Sequence, residues 1–117
     1  MYLTEHFDSD EFNCSCECGF GFIKPDLVYL LEMVRKEIKK PKKINSGIRC
    51  LEHNRSIGSS DTSSHIKCLA ADIGCTRMSD RHLLMRYLPE HFDRIGIHKE
   101  FIHVDIDTEK RKGIFVY

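Results

Sequence analysis

The sequence predicts an α+β fold in which two or three helices pack on one side of a small antiparallel sheet. Residues 25–40, PDLVYLLEMVRKEIKK, carry their aliphatic side chains at helical spacing. Residues 101–107, FIHVDID, instead alternate apolar and polar side chains, which is typical of a half-buried strand. The length of 117 residues corresponds to one domain, and we expect it to span residues 1–117.

The first half of the chain contains one long helix and two short elements. Pro25 suits the first turn of the helix, and Pro41 ends it. A short strand is expected around Ile44, and residues 51–57 predict a short helix that ends at Gly58. Four phenylalanines near the N-terminus are expected to pack on the core as a clasp: Phe7, Phe12, Phe20 and Phe22.

The second half of the chain predicts most of the sheet. An antiparallel hairpin is expected because two strand-like segments flank a tight turn near Lys99 and Glu100. The elements expected here are a strand over 68–73, a helix over 79–88 with Ser79 as its cap and Pro89 behind it, hairpin strands at 94–98 and 101–107, and an edge strand over 113–117.

Composition excludes several classes of partner. The chain has 18 basic and 18 acidic residues, so its net charge of zero gives no electrostatic reason to expect a nucleic-acid or membrane partner. No apolar run approaches the roughly 20 residues of a membrane span. The N-terminus, MYLTEHFDSDEF, is neither basic nor apolar and does not resemble a secretory signal. We therefore expect a cytoplasmic protein that reaches other compartments only when something releases it.

Six cysteines leave two interpretations open. Cys14, Cys16 and Cys18 form the cluster CSCEC, whose spacing differs from the paired C-x-x-C steps of zinc ribbons. Without a signal peptide, reduced thiols are the default interpretation. A disulfide or a metal clip between this cluster and Cys50 is the alternative.

A buried carboxylate is the first sign of a functional site. Asp72 lies in the apolar segment CLAADIG, where a charge costs several kcal/mol unless it is paired or binds a metal. Together with His65 and His103 it offers two imidazoles and one carboxylate, the ligand set of a catalytic zinc site with one open position. Glu100 stands three residues before His103 and could act as a general base. Spacing alone leaves hydrogen-bonded or solvated side chains as the alternative.

Three motifs resemble one known family. SSHIKCLAADI resembles the S-x-H-x-x-G-x-A-x-D signature of the zinc D-Ala-D-Ala carboxypeptidase family, peptidase family M15, with Cys68 in place of the glycine. SGIRC resembles the upstream S-G-[YF]-R segment, and EFIHVDI resembles the last segment, in which an acidic residue precedes the third ligand. The opening, LTEHFDSDEFNCSCECGFG, is similar to that of short, often phage-encoded members. The resemblance covers nearly the whole chain and implies the fold that this family shares with the hedgehog signalling domain.

The resemblance implies a role for each matching residue. His65, Asp72 and His103 would bind Zn²⁺, and Glu100 would accept a proton from the attacking water and return it to the leaving amine. Arg49 would bind a substrate carboxylate or polarise the carbonyl, because its planar guanidinium suits a two-oxygen target.

Three further residues have less defined roles. His98 would orient the tetrahedral intermediate. Asp105 would hold an imidazole, bind a substrate amine, or replace Glu100 as the base. Ser63 would shape the loop or hydrogen-bond Asp72 or the substrate.

The function that follows from the resemblance is hydrolysis of D-amino-acid-containing peptides in bacterial peptidoglycan. Both D-Ala-D-Ala carboxypeptidase and L-Ala–D-Glu endopeptidase action occur in the family, and no residue decides between them. The expected partner is a peptidoglycan stem peptide, the expected state is a monomer, and a phage lysis system could release it to the wall. Two alternatives remain: a non-catalytic zinc-binding module of the hedgehog-like fold, and a zinc module built on the cysteine cluster.

Overall fold

Three α-helices and one five-stranded sheet build the protein, and the computed structural model describes all of residues 1–117. After a 3₁₀ helix at Ser9–Phe12, the elements are α1 (Pro25–Ile38), β1 (Ile44–Ser46), α2 (Leu51–Ser56), β2 (Ala70–Gly74), α3 (Met78–His91), β3 (Arg94–Ile97), β4 (Phe101–Asp105) and β5 (Gly113–Val116). The strand order across the sheet is β1-β2-β4-β3-β5. The predicted α+β class is confirmed.

The sheet is antiparallel except at β5, which pairs parallel with β3. Arg94 at the start of β3 is the register partner of both Asp105, where β4 ends, and Gly113, where β5 begins. The loop 106–112 therefore crosses this end of β3, and β5 runs in the same direction as β3. The predicted edge position of the last strand is correct, whereas a purely antiparallel sheet is not what forms.

Helix α3 is longer at both ends than the sequence predicts. It begins at Met78 after an N-cap at Arg77 that makes no side-chain capping bond, so the expectation that Ser79 caps it is wrong. Pro89 lies inside the helix rather than behind it. A proline removes one backbone donor, and in the last turn of a helix this costs a single hydrogen bond.

Strand β2 begins two residues later than predicted because of Cys68. This residue has a φ of 62°, in the left-handed region that a strand cannot contain and that glycine adopts most easily. Cys68 stands where the resembling family has glycine. The backbone at Cys68 therefore makes the same left-handed turn that a glycine would make. The buried Cys68 thiol lies against Gly21, where an added Cβ would be 2.8 Å from the sulfur.

The core lies between the sheet and the pair of helices α1 and α3, which pack on each other. Phe7 and Phe12 are buried in this core, but Phe20 and Phe22 are 44% and 92% exposed. Only half of the predicted aromatic clasp therefore forms. None of the helices has the length and apolar character needed to cross a membrane.

Candidate metal centre and active site

Strand pairing brings Asp72 and His103 together. The two residues are direct register partners between β2 and β4, so their side chains lie on the same face of the sheet. Nδ1 of His103 lies 2.9 Å from Oδ1 of Asp72. Both side chains are buried, at 5% and 6% exposure. This pairing explains why a carboxylate occupies an apolar strand.

His65 reaches the same carboxylate from the loop before β2. Its Nε2 lies 3.3 Å from Oδ1 of Asp72, and its Nδ1–H donates to the carbonyl oxygen of Gly47 at 2.6 Å. A Cβ at Gly47 would stand 2.8 Å from the carbonyl oxygen of Phe12, so only glycine fits beside that backbone. The glycine of the SGIRC segment thereby anchors the imidazole from behind.

The three side chains fit a metal ion. Nε2 of His65, Nδ1 of His103 and a carboxylate oxygen of Asp72 all lie within 4.8 Å of one another. Tetrahedral ligands at about 2.0–2.1 Å from zinc are separated by about 3.4 Å, close to the 2.9 and 3.3 Å seen here. The outer nitrogen of each imidazole has a hydrogen-bond acceptor, which fixes the tautomer and leaves the inner nitrogen a lone pair for the metal.

Asp105 provides the outer partner of His103. Nε2–H of His103 donates to Oδ2 of Asp105 at 2.7 Å, and Nε of Arg94 donates to the same oxygen at 2.9 Å. The backbone N–H of Asp107 donates to the other oxygen, Oδ1. Although burial raises the pKa of Asp105, these bonds hold it below its ordinary value. Of the roles considered for Asp105, its contacts match that of holding an imidazole.

Electrostatics couple the two central residues. Burial alone would raise the pKa of Asp72, but hydrogen bonds from His103 and His65 bring it well below the ordinary carboxyl value. Burial lowers the pKa of His103, and its bonds to Asp105 and Asp72 outweigh this and raise it. The centre therefore stabilises an ionised carboxylate, the state in which it can bind a cation.

Arg49 lies beside this centre and is 9% exposed. Nε donates to the hydroxyl of Ser46 at 3.2 Å, and Nη1 donates to Oδ1 of the buried Asn54 at 3.0 Å. Nη2 lies 3.6 Å from Oδ2 of Asp72. Two arms of the guanidinium are thus fixed, and the third faces the metal centre.

An open cavity of about 350 Å³ lies over these residues. Arg49, His65, Asp72 and His103 line it, and Ser63 stands at its edge with its hydroxyl accepting the N–H of His65 at 3.3 Å. Ser63 makes no hydrogen bond to Asp72. Its possible contact with substrate stays a prediction.

Several cavity residues were not predicted from the sequence. Phe115 and Tyr117 form an aromatic wall, and the Arg94 guanidinium lies 4.6 Å from the Phe115 ring centre. Phe115 is the register partner of Gly96. A Cβ added at Gly96 would lie 2.4 Å from the Phe115 ring, so the glycine leaves the space that this ring occupies. The alternation of Phe115 and Tyr117 was visible in GIFVY, but the parallel pairing that brings them to the site was not.

Glu100 and His98 lie outside the residues that line this cavity. Glu100 is exposed in the turn between β3 and β4, and its carboxylate has no hydrogen-bond or ion-pair partner. Its backbone N–H donates to Nδ1 of His98 at 3.0 Å. The His98 ring stacks on Phe101 at 4.4 Å and lines a neighbouring cleft. The catalytic roles considered for both residues stay predictions.

Comparison with known proteins adds the family to this geometry. A search of curated proteins found no match to the chain. A model of the family described as peptidase M15 matches residues 5–105. The matched range contains all three candidate metal ligands, Arg49 and Asp105, and it extends over most of the chain. On this evidence the protein belongs to the peptidase M15 family.

Proposed function

We propose that this protein is a zinc-dependent peptidase that hydrolyses D-amino-acid-containing peptides of bacterial peptidoglycan. One observation carries the proposal: two imidazoles and a carboxylate converge on an open cavity, and each imidazole is held from behind by an oxygen. Three protein ligands with space for a fourth distinguish a catalytic zinc site from a closed structural one. The family membership supports the same reaction class.

Zinc bound by His65, Asp72 and His103 would polarise the scissile carbonyl and lower the pKa of a bound water to about 7. Asp105 keeps the His103 ring in the tautomer and orientation that this requires. Arg49 directs Nη2, which makes only a long 3.6 Å contact with Asp72, toward the cavity, where it binds a substrate carboxylate or carbonyl oxygen.

The cavity favours an anionic peptide. Arg49, Arg94 and Lys110 line it, and Asp72 is the only acidic residue in the lining. A stem peptide offers a carboxylate in either cleavage mode, at the terminal D-Ala or on D-Glu. The proposed partner is thus the stem peptide, and the choice between carboxypeptidase and endopeptidase action depends on which carboxylate Arg49 binds.

Glu100 is the proposed general base. Its carboxylate has no partner in the protein, so its side chain is free to turn toward a bound substrate, whereas both oxygens of Asp105 are already hydrogen-bonded. The base would accept the proton of the attacking water and deliver it to the leaving amine. His98, which supports the Glu100 backbone, is proposed to position the turn.

A non-catalytic zinc-binding module is the second candidate function. The observation in its favour is that Glu100 does not line the cavity over the metal ligands. A binding module would keep the metal and the cavity and would hydrolyse no peptide.

Purified muropeptides separate these proposals. We expect the protein to release D-Ala, or to split L-Ala from D-Glu, with both products identified by mass spectrometry. Chelation should abolish the reaction, and added zinc should restore it. Glu100→Gln should retain zinc and fold while turnover falls by about 10²–10⁴. Glu90→Gln, an exposed change on α3, is the matched control and should leave turnover unchanged.

Two results would contradict the assignments. If Glu100→Gln is mild and Asp105→Asn is severe with zinc retained, Asp105 is the base. If zinc is bound stoichiometrically and no muropeptide is cut at any pH, the protein is a binding module.

A further inference from the structure

A second group of metal-binding side chains lies apart from the histidine centre. Cys14, Cys16 and Cys18 from the loop before α1 meet Cys50, the N-cap residue of α2. All four sulfurs lie within 4.8 Å of one another. Because Cys50 follows Cys14 by 36 residues, this convergence is a product of the tertiary fold and not of local spacing.

The separations between the sulfurs suit a shared ion. Sγ of Cys14 is 3.3 Å from that of Cys16 and 3.9 Å from that of Cys50, and the remaining distance in this triangle is 3.6 Å. Four thiolates at about 2.3 Å from zinc lie about 3.8 Å apart in a tetrahedron. A disulfide would require about 2.05 Å.

The backbone of the C-x-C-x-C segment turns tightly instead of running extended. Alternate residues of an extended strand are separated by about 7 Å, roughly twice the distance between the first two sulfurs. Glu17 and Gly19 adopt left-handed φ values of 61° and 75°, and the N–H of Glu17 donates to the carbonyl of Cys14 at 2.9 Å. A non-glycine residue in that conformation costs about 1–2 kcal/mol, so the tight turn needs a compensating interaction.

Backbone donors support two of the sulfurs. The N–H of Cys50 points at Sγ of Cys14 at 3.5 Å, and the N–H of His53 donates to Sγ of Cys50 at 3.3 Å. Such donors stabilise thiolate ligands from outside the first coordination shell. The His53 ring is already bonded to the Ser15 hydroxyl at 2.9 Å, so the cysteines supply the complete ligand set.

We propose that Cys14, Cys16, Cys18 and Cys50 bind a second zinc ion in a closed tetrathiolate site. Four cysteines leave no open position, so this zinc is structural. It ties the N-terminal loop to Cys50, the residue that directly follows Arg49. A backbone hydrogen bond links the same two segments, because the carbonyl of Phe12 accepts the N–H of Ile48 at 2.8 Å. The site therefore holds the segment that carries Arg49, and it stands whether or not the protein hydrolyses peptidoglycan.

Zinc content of the full chain, purified under reducing conditions, tests the proposal. We expect two zinc ions per chain in the unmodified protein and one in His103→Ala. Cys16→Ser with Cys18→Ser, both at exposed residues, should also leave one. Cys75→Ala is the matched control, because Cys75 is buried outside the cluster, and it should keep both ions.

Cobalt substitution identifies the ligands. Co²⁺ in His103→Ala should give the intense visible bands and the thiolate-to-metal charge-transfer absorption of a tetrathiolate, and the added Cys16→Ser and Cys18→Ser changes should remove them. Two results would overturn the site: one zinc per chain that His103→Ala loses, or a disulfide among these cysteines found by mass spectrometry after alkylation. Inactivity on muropeptides with two bound zinc ions would leave this site intact and refute only the peptidase proposal.

Discussion

Arg49 is a nearly buried cation whose three nitrogen groups face three different partners. Ser46 and Asn54 hold two of them, and the third lies 3.6 Å from Asp72, a long contact for an ion pair. A charge held this rigidly loses little side-chain entropy when a substrate carboxylate binds. The planar shape of the group, and not its charge alone, defines what it does.

Arg49→Lys should therefore be far from conservative. Lysine keeps the charge but cannot bond Ser46, Asn54 and a substrate at once. We expect a loss of about 1.5–3 kcal/mol in transition-state binding, or about 10- to 100-fold in kcat/KM, with zinc content unchanged. Steady-state kinetics on a purified muropeptide measure this loss.

Arg55→Lys is the control for that substitution. Arg55 makes a two-point pair with Asp61 on the exposed surface, where such pairs contribute little. We expect unchanged kinetics. Equal turnover in Arg49→Lys and Arg55→Lys would show that Arg49 serves only to pair with Asp72.

Among the secondary-structure elements, Asp107 connects the segment just after β4 to the loop before β2, which carries His65. Its Oδ2 accepts from the Ser64 hydroxyl at 2.8 Å and from the Lys67 ammonium at 3.0 Å, and its Oδ1 accepts the N–H of Glu109. Ser64 immediately precedes the candidate ligand His65. The carboxylate thus fixes the loop that carries one candidate metal ligand, His65, against the strand pair that carries the other two.

The contribution of Asp107 to the stability of the fold should depend on pH. Burial raises the pKa of Asp107, but its bonds to Ser64, Lys67 and Glu109 lower it below the ordinary 3.8. Because the folded pKa is depressed, the carboxylate stabilises the fold fully above the ordinary value, and this contribution is lost as pH falls through the folded pKa. Asp107→Asn should cost about 1–3 kcal/mol at neutral pH and much less in strong acid.

Thermal unfolding between pH 7 and pH 2 checks this difference. Asp93→Asn is the control, because Asp93 is exposed and meets only the Lys112 ammonium. If Asp107→Asn and the unmodified protein differ in stability by the same amount at every pH, the contacts of Asp107 depend on its shape and not on its charge.

At the scale of the whole molecule, zinc should contribute measurably to stability. The histidine centre buries a carboxylate and two imidazoles in a chain of 117 residues, and a cation offsets the cost of that burial. Free zinc at 100 times its dissociation constant adds about 2.7 kcal/mol, which corresponds to a shift in Tm on the order of 10 °C. Chelation should reverse this shift.

Calorimetry with and without chelator separates the contribution of each centre. His103→Ala should lose the part of the shift that belongs to the histidine site, while His82→Ala, an exposed change on α3, should keep all of it. The same shift in His103→Ala as in the unmodified protein would place the stabilising metal elsewhere.

The sequence predicted the parts of this molecule that depend on local pattern. The periodicity of 25–40 and the hairpin around Lys99 gave elements within a few residues of those observed, and the motif around His65 and Asp72 named side chains that do converge. One error concerns long-range geometry, whereas the errors at Cys68, Ser79 and Pro89 are local. The parallel pairing of β5, and with it the placement of Phe115 beside His103, depends on the loop 106–112 and leaves no local pattern. The left-handed turn at Cys68 was hidden because the residue is not glycine.

Because Asp72 and His103 are direct register partners, metal binding at their centre would require the correct alignment of β2 and β4. Side chains alternate between the two faces of a strand, so a slip of one residue between β2 and β4 would send one ligand to the opposite face. A chain that pairs these two strands wrongly could not assemble the three-ligand centre and would gain no stability from zinc at that centre. Zinc bound at this centre would therefore mark the molecules in which β2 and β4 are correctly aligned, and the fraction of molecules with this centre loaded would measure that alignment.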